Sequence, residues 1–274
     1  MHINEDILNE LRIKYGEAFY LLDSAQFRTN FFELKEAFSS IYPNFNIAYS
    51  YKTNYTPKLC KIVNELGGYA EVVSEMEAEL ASRIGVQSEK VIWNGPIKAP
   101  QILERFLLQG GTVNIDSSEE CSEIEKLSNR HPDSIFHVGI RCNFDVKDGV
   151  VSRFGFDIDG DDFKKVLDFV CNSDNINLVN LQCHFAKRQL KYWPARTQGM
   201  LELLDRIGIV PERIDLGGGL FGKMADSLKK QFNTEIPSYK DYARASALIF
   251  FEHFKNTKIK PELLIEPGSA LVGD

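Results

Sequence analysis

Two periods of hydrophobicity alternate along most of this chain. Short runs rich in β-branched and aromatic residues read as strands, and between them apolar residues return every three or four positions, as on one face of a packed helix. After an opening strand at Phe19–Leu22 and a helix at Ser24–Ser39, strands are predicted at Asn46–Tyr51, Tyr69–Val73, Lys90–Trp93, Thr112–Ile115, Ile135–Arg141, Asn177–Cys183, Arg213–Leu216 and Glu262–Ile265. Helical stretches follow the first seven, clearest at Glu75–Ile84, Pro100–Gln109, Ser118–Asn129, Phe163–Val170 and Pro194–Ile207, with Tyr239–Phe254 the longest. Gly67-Gly68, Gly85 and Gly110-Gly111 fall where helices should stop. Parallel βαβ units also build doubly wound sheets, but a count of eight favours an α/β protein of the closed (β/α)8 type, the TIM-type barrel. Residues 1–45 are then a strand and helix leading in, and residues 46–274 the barrel. The one long irregular insertion, about Leu220–Ser238, follows the seventh strand, on the side where barrels keep their active-site loops.

Composition narrows the function classes. A chain of 274 residues with 43% apolar and 26% charged content suits one barrel with an ample core. Net charge is −7 and no block of Lys or Arg stands out, which argues against nucleic acid or an anionic membrane as a general partner. A local basic pocket for a small phosphate is compatible with that balance. The five cysteines are scattered, odd in number and form no CxxC pair, which predicts a reducing, cytoplasmic setting rather than disulfides or a zinc knuckle. Five histidines without ligand spacing predict no metal. The apolar run Ala18–Leu22, flanked by Glu17 and Asp23, is too short for a signal peptide, and no stretch approaches membrane-spanning length.

The residues with chemistry cluster at the carboxyl ends of the predicted strands. They are Lys52, Ser74, Asn94-Gly95, Asp116-Ser117, Arg141 with Asn143, His184, Gly217-Gly218-Gly219 and Glu266-Pro267-Gly268, in strand order. Barrel active sites assemble at that face, so these groups should converge on one mouth. Lys52 follows Ala48-Tyr49-Ser50-Tyr51, and burying its ammonium predicts a lowered pKa and a nucleophilic amine. A lysine at a strand end is also commonly a snorkelling surface residue. Three glycines after a strand can let amides cradle a phosphate, or can simply make a turn. Glu266 at the mouth calls for a cationic partner such as a protonated ring nitrogen, unless it only caps a turn; His184 could lie on a flat ring or be a structural histidine. Lysine, phosphate cradle, carboxylate and stacking ring together describe pyridoxal 5′-phosphate.

With Tyr49-Ser50-Tyr51-Lys52-Thr53-Asn54, Tyr69-Ala70-Glu71-Val72-Val73-Ser74, Val151-Ser152-Arg153-Phe154-Gly155-Phe156, Gln182-Cys183-His184, Asp215-Leu216-Gly217-Gly218-Gly219 and Glu266-Pro267-Gly268 in that order, the chain resembles the fold type III pyridoxal-phosphate decarboxylases. These are the ornithine, arginine and diaminopimelate decarboxylases, with a barrel of the alanine racemase-like type; the resemblance runs from about Phe19 to Val272. It implies Lys52 as Schiff-base lysine, His184 as the ring-stacking histidine, Gly217, Gly218 and Gly219 as phosphate-binding glycines, and Glu266 as partner of the ring nitrogen. It further implies Arg141 near the lysine and the cofactor hydroxyl, Glu71 as the acidic residue beside the lysine, and Gly268 and Ser269 at the cofactor. The family has an arginine for the phosphate where Ser269 stands, and His-x-Gly-Ser where this chain has His184-Phe185-Ala186-Lys187. We therefore expect Lys187 to take over the phosphate charge, with Ser269 donating a hydroxyl.

Family members carry a second, β-rich domain that completes the site across a head-to-tail dimer, and Phe19–Leu22 is the strand that would join it. That domain is absent or truncated in this sequence, which reads either as a fragment of a longer protein, a homodimer if it carries the second domain, or as a reduced barrel; the opening strand favours the fragment. The activity implied is decarboxylation of a small-molecule amino acid. Alternatives are an amino-acid racemase, which would prefer an arginine near the ring nitrogen, a non-catalytic pyridoxal-phosphate carrier or regulatory barrel, and a cofactor-free aldolase.

Overall fold

The computed structural model describes residues 4–232 and 235–273. Residues 1–3, 233, 234 and 274 lie outside the described residues, and with them His2, two positions of the 220–238 insertion and the last residue of the predicted barrel.

Eight parallel strands close into a ring. They are β1 (Phe45–Ser50), β2 (Tyr69–Val72), β3 (Val91–Trp93), β4 (Thr112–Ile115), β5 (Phe136–Asn143), β7 (Ile176–Cys183), β8 (Arg213–Asp215) and β9 (Glu262–Ile265), with β9 returning to pair with β1. A two-residue strand, β6 (Phe156–Asp157), pairs beside the end of β5 and stands outside the ring. The barrel expected from the eight units is the fold observed. Helices α3 (Pro57–Glu65), α4 (Glu75–Arg83), α5 (Pro100–Leu108), α6 (Ser118–Arg130), α7 (Asp161–Asn172), α8 (Trp193–Ile207) and α10 (Tyr239–Phe254) connect the strands, and α2 (Ser24–Ser39) precedes them.

Burial explains why the strands are so apolar. Every position of β1 is buried, because one face meets the helices and the other the barrel interior. The helix-facing residues join the main core, whereas only Ala48, Tyr69, Ile92 and Leu264 form an apolar cluster within the ring. Side chains alternate along a strand, so positions two further on from these, Ser50, Glu71, Asn94 and Glu266, also face inward, at the carboxyl ends. The ring is therefore apolar at its waist and polar at its mouth.

Two of the turns at that mouth use the same device. Ser74 and Ser117 cap α4 and α6, accepting the amides of Glu77 and Glu120. The two glutamates reach back to the amides of Val73 (2.7 Å) and Asp116 (2.9 Å), a capping box displaced by one residue.

Two expectations change. Phe19–Leu22 is not a strand; it is irregular, with Tyr20 fully exposed and Leu21 and Leu22 exposed beside it. The ring has closed on itself and offers no open edge, so this segment finds no neighbour to pair with among the described residues. It follows α1 (Glu5–Tyr15), which buries none of its residues. The described residues of the 220–238 insertion, which include α9 (Asp226–Lys229), do not line the cavity at the mouth. Phe221 to Met224 and Ile236 to Lys240 line a cavity of about 1260 Å³ beside α2, where Lys223 pairs with Glu33.

Candidate functional site at the barrel mouth

A cavity of about 570 Å³ opens at the carboxyl ends of the strands, within the range of about 300–1,000 Å³ typical of small-molecule sites. Lys52, Asn94, Arg141, Gln182, His184 and Glu266 line it, and Asp148 and Arg153 stand at its rim. The strand-end residues do converge.

Lys52 sits in a 3-10 turn (Tyr51–Thr53) that leaves β1. That turn is held against the end of the barrel, because the amide of Ser50 donates to the carbonyl of Pro267. Gly268 makes the close approach possible: a Cβ there would stand 1.9 Å from Thr53 Oγ1. The Lys52 ammonium donates to both oxygens of Glu71, at 3.1 and 3.2 Å. Its side chain is 42% exposed, toward the cavity, while Glu71 is fully buried. Burial works against the ammonium, as the sequence suggested, but Glu71 and then Glu266 overturn that effect and leave the Lys52 pKa raised. The expected lowering is thus corrected by the carboxylates around the amine.

Glu71 also accepts from Ser50 Oγ at 2.5 Å and from Asn94 Nδ2 at 3.0 Å. The same Asn94 amide donates to Glu266 at 2.5 Å, so one asparagine bridges the two carboxylates. The chain continues across the floor: Asn114 Nδ2 donates to Asn94 Oδ1 (2.7 Å), and Asn180 Nδ2 to Asn114 Oδ1 (2.9 Å). Gly139 makes room for this ladder, since a Cβ there would lie 1.9 Å from Asn114 Oδ1. Gln182 Nε2 completes the surroundings of Glu266 at 3.3 Å.

Two buried carboxyls, Glu266 and Asp215, meet at this end of β8 and β9, and they divide the charge unequally. Burial pushes both up. For Glu266 this is more than offset by His184, the Lys52 ammonium and the Asn94 amide, which hold it well below the ordinary range. Asp215 accepts only the Gly217 amide (2.8 Å) and stays well above the ordinary range, with the Glu266 charge adding to the effect of burial. The two neighbours are thus pushed in opposite directions, Glu266 toward its anion and Asp215 toward its acid.

His184 Nδ1 accepts the amide of Gly218 at 3.1 Å and lies 3.4 Å from Glu266 Oε2. The amide contact sets the orientation of the ring at the mouth. Arg141 is fixed by Asp116 (2.7 Å), whose other oxygen accepts the amide of Gly155, and its guanidinium lies 4.9 Å from the Phe154 ring. The fully buried ammonium of Lys98 holds the turn after β3 by donating to the carbonyl of Gly95 (2.7 Å) and to Glu120 (2.6 Å).

The glycine turn after β8 admits no side chain. Cβ atoms at Gly217 and Gly218 would lie 2.2 Å and 2.5 Å from the carbonyls of Cys183 and Glu266, and Gly217 and Gly219 have φ of 71° and 89°. Two of its three amides are already committed, to Asp215 and His184, and that of Gly219 has no partner among the described residues. Lys187 and Ser269 are half-buried after β7 and β9, and neither lines the cavity.

Sequence reasoning placed Asn94 and Asp116 at the mouth without giving either a partner, and it missed Asn114, Asn180 and the unequal pair of Asp215 and Glu266. Asn114 and Asn180 did leave a signal: each interrupts an apolar strand, and a buried amide there needs partners. The residues present fit pyridoxal phosphate: a cavity-facing amine, an imidazole oriented by a backbone amide, a buried anionic carboxylate and a side-chain-free turn.

The sequence signature of the family "Pyridoxal-dependent decarboxylase, pyridoxal binding domain" matches residues 25–273. Diaminopimelate decarboxylase of Aquifex aeolicus is 25% identical, over 97% of this chain and 63% of that protein; that of Methanocaldococcus jannaschii is 26% identical, over 96% and 63%. The crystal structure of the M. jannaschii enzyme superposes with a TM-score of 0.83 at 26% identity, covering 96% of this chain and 63% of that one. A lysine/ornithine decarboxylase of Vibrio vulnificus, solved with putrescine, shares the fold with a TM-score of 0.76 at 16% identity, covering 97% and 67%. The chain spans about 63% of the length of the first two relatives.

Proposed function

Because the chain belongs to the pyridoxal-dependent decarboxylase family, through its pyridoxal binding domain, we propose that it takes pyridoxal 5′-phosphate on Lys52 and forms the barrel of an amino-acid decarboxylase. When bound, the cofactor supplies an aldehyde for an amine and a ring that accepts the electron pair freed as carbon dioxide leaves. The observation that carries the reading is the placement of the Lys52 amine and the ionised Glu266 in one cavity, bridged by Glu71 and Asn94.

Each residue then has a task. Glu71 orients the Lys52 amine and exchanges a proton with it across 3.1 Å. Glu266 stays anionic and attracts a protonated ring nitrogen, which favours decarboxylation over racemisation, where a cation would be expected at this point. His184, held by the Gly218 amide, presents its ring to the cavity. Arg141 brings a fixed positive charge beside the lysine, anchored by Asp116. Asp148 and Arg153 are the charged groups at the rim for the distal end of a substrate. The names of the relatives put diaminopimelate first among candidates, with lysine, ornithine and arginine next. A reducing cytoplasm suits the five free thiols, and a homodimer is the assembly the family resemblance implies.

The test is incubation with pyridoxal phosphate, borohydride reduction and peptide mapping, followed by carbon dioxide release from those four amino acids. An adduct on Lys52, lost in Lys52→Ala, is expected. Adducts scattered over other lysines would sink the reading. An adduct on Lys52 with no carbon dioxide released by the full-length protein would favour a non-catalytic carrier.

A further inference from the structure

A buried arginine lies beneath the glycine turn without an acidic partner. Arg196, on α8, is fully buried. Nη1 donates to the carbonyls of Gly218 (2.6 Å) and Leu216 (3.1 Å), and Nη2 to that of Phe185 at 3.5 Å. Nε reaches no acceptor and no carboxylate pairs with the group among the described residues. Its guanidinium instead lies 4.3 Å from the ring centroid of Trp193 and 5.4 Å from that of Phe185. A full positive charge held this way is costly unless an anion comes near.

Arg196 also decides which way the turn faces. In a trans peptide the C=O and N–H point in opposite directions. Drawing the Gly218 carbonyl onto the guanidinium therefore turns the amide of Gly219 away from it. That amide has no partner among the described residues, whereas the two before it are committed. The guanidinium comes within 3.8 Å of where a Cβ of Gly219 would stand. Lys187 shows the turn its carbonyl, 3.6 Å from the same point, and Ser269 carries no charge.

We propose that Arg196 is the positioning residue of the phosphate site: from beneath the turn it aims the Gly219 amide and supplies the buried positive charge that a phosphate ester requires. This rests on the cofactor reading above, and it moves the charge expected of Lys187 to a residue on a different element.

The experiment compares the affinities of pyridoxal phosphate and of phosphate-free pyridoxal for wild type, Arg196→Met, Arg196→Lys and Lys187→Ala. Wild type should prefer the phosphate ester. Arg196→Met should lose that preference by about tenfold or more, the scale of a charged hydrogen-bonding group removed, with pyridoxal binding changed little. Arg196→Lys should recover part of it, and Lys187→Ala should keep it. Inorganic phosphate should raise the melting temperature of wild type more than that of either Arg196 variant, a comparison that Arg196→Lys still allows if Arg196→Met does not fold. Parallel loss of both affinities, an unchanged preference, or equal phosphate-induced shifts would overturn the inference while leaving the cofactor reading intact. A wild type that captures neither compound at Lys52 removes both.

Discussion

At the scale of single residues, the mouth of this barrel is governed by where protons rest. The Lys52 ammonium is held by Glu71 and Glu266, so its free amine is scarce at neutral pH and capture of an aldehyde should speed up as pH rises. Glu71→Gln removes the nearer anion and lowers the Lys52 pKa. The pH profile of the capture rate, followed by absorbance, should move to lower pH. An unmoved profile would mean that Glu71 does not control the amine. Asp215 gives a second test, with the opposite kind of group. Its folded pKa is raised, so the native state keeps a proton that the unfolded chain releases near pH 4. That contribution to stability is fully present below the unfolded value and is lost as pH rises toward the folded one. Asp215→Asn keeps an acceptor for the Gly217 amide and carries no titrating proton. Melting temperatures across pH 5–9 should fall less steeply for the variant than for wild type; parallel curves would show that Asp215 ionises normally. Neither proton could be placed from sequence. Lys52 and Glu266 were visible as strand-end residues, but the sign of the lysine shift depends on Glu71 and Glu266 both meeting the amine, which only the closed ring arranges.

At the scale of elements, the strands were legible because a barrel strand is buried on both faces and so reads as an apolar run. The helices were legible from apolar residues returning at helical spacing: Ser24–Ser39 and Tyr239–Phe254 have the bounds expected of them. What the pattern could not reveal is which neighbours share a layer inside the ring. The register that sets Asn114 beside Gly139, and Gly139 beside Asn180, builds the asparagine ladder across three strands. Gly139 is a space filler by omission, since an added methyl would overlap Asn114 Oδ1. We expect Gly139→Ala to cost about 1–3 kcal/mol in urea unfolding, the usual range for overpacking a tight interior. Asn114→Ala should rescue part of that loss in a double-mutant cycle, because it removes the atom the methyl strikes. Additive losses would place the strain elsewhere.

At the scale of the whole molecule, the ring and its helices share one hydrophobic core, and the described residues before Asp23 add no buried side chain to it. Helix α1 buries nothing, and Ile13, Tyr15, Tyr20, Leu21 and Leu22 all remain exposed. The first buried side chain of the described residues is Phe27 on α2, whose amino end is capped by Asp23. The family signature begins at residue 25, at the same boundary. The expected strand at Phe19–Leu22 failed for a reason that belongs to this scale: alternation in a sequence cannot say whether a partner edge exists, and a closed barrel has none to give. A chain starting at Asp23 should therefore keep its melting temperature within about 2 °C, since a loss of 1 kcal/mol would move a domain of this size by about 2–4 °C. It should also keep its affinity for pyridoxal phosphate. The shortened chain should associate less with itself at high concentration, because the removed segment carries a contiguous set of exposed apolar side chains. A drop in melting temperature of several degrees would show instead that residues before Asp23 are bound to the barrel, and the apolar segment would then be part of its core.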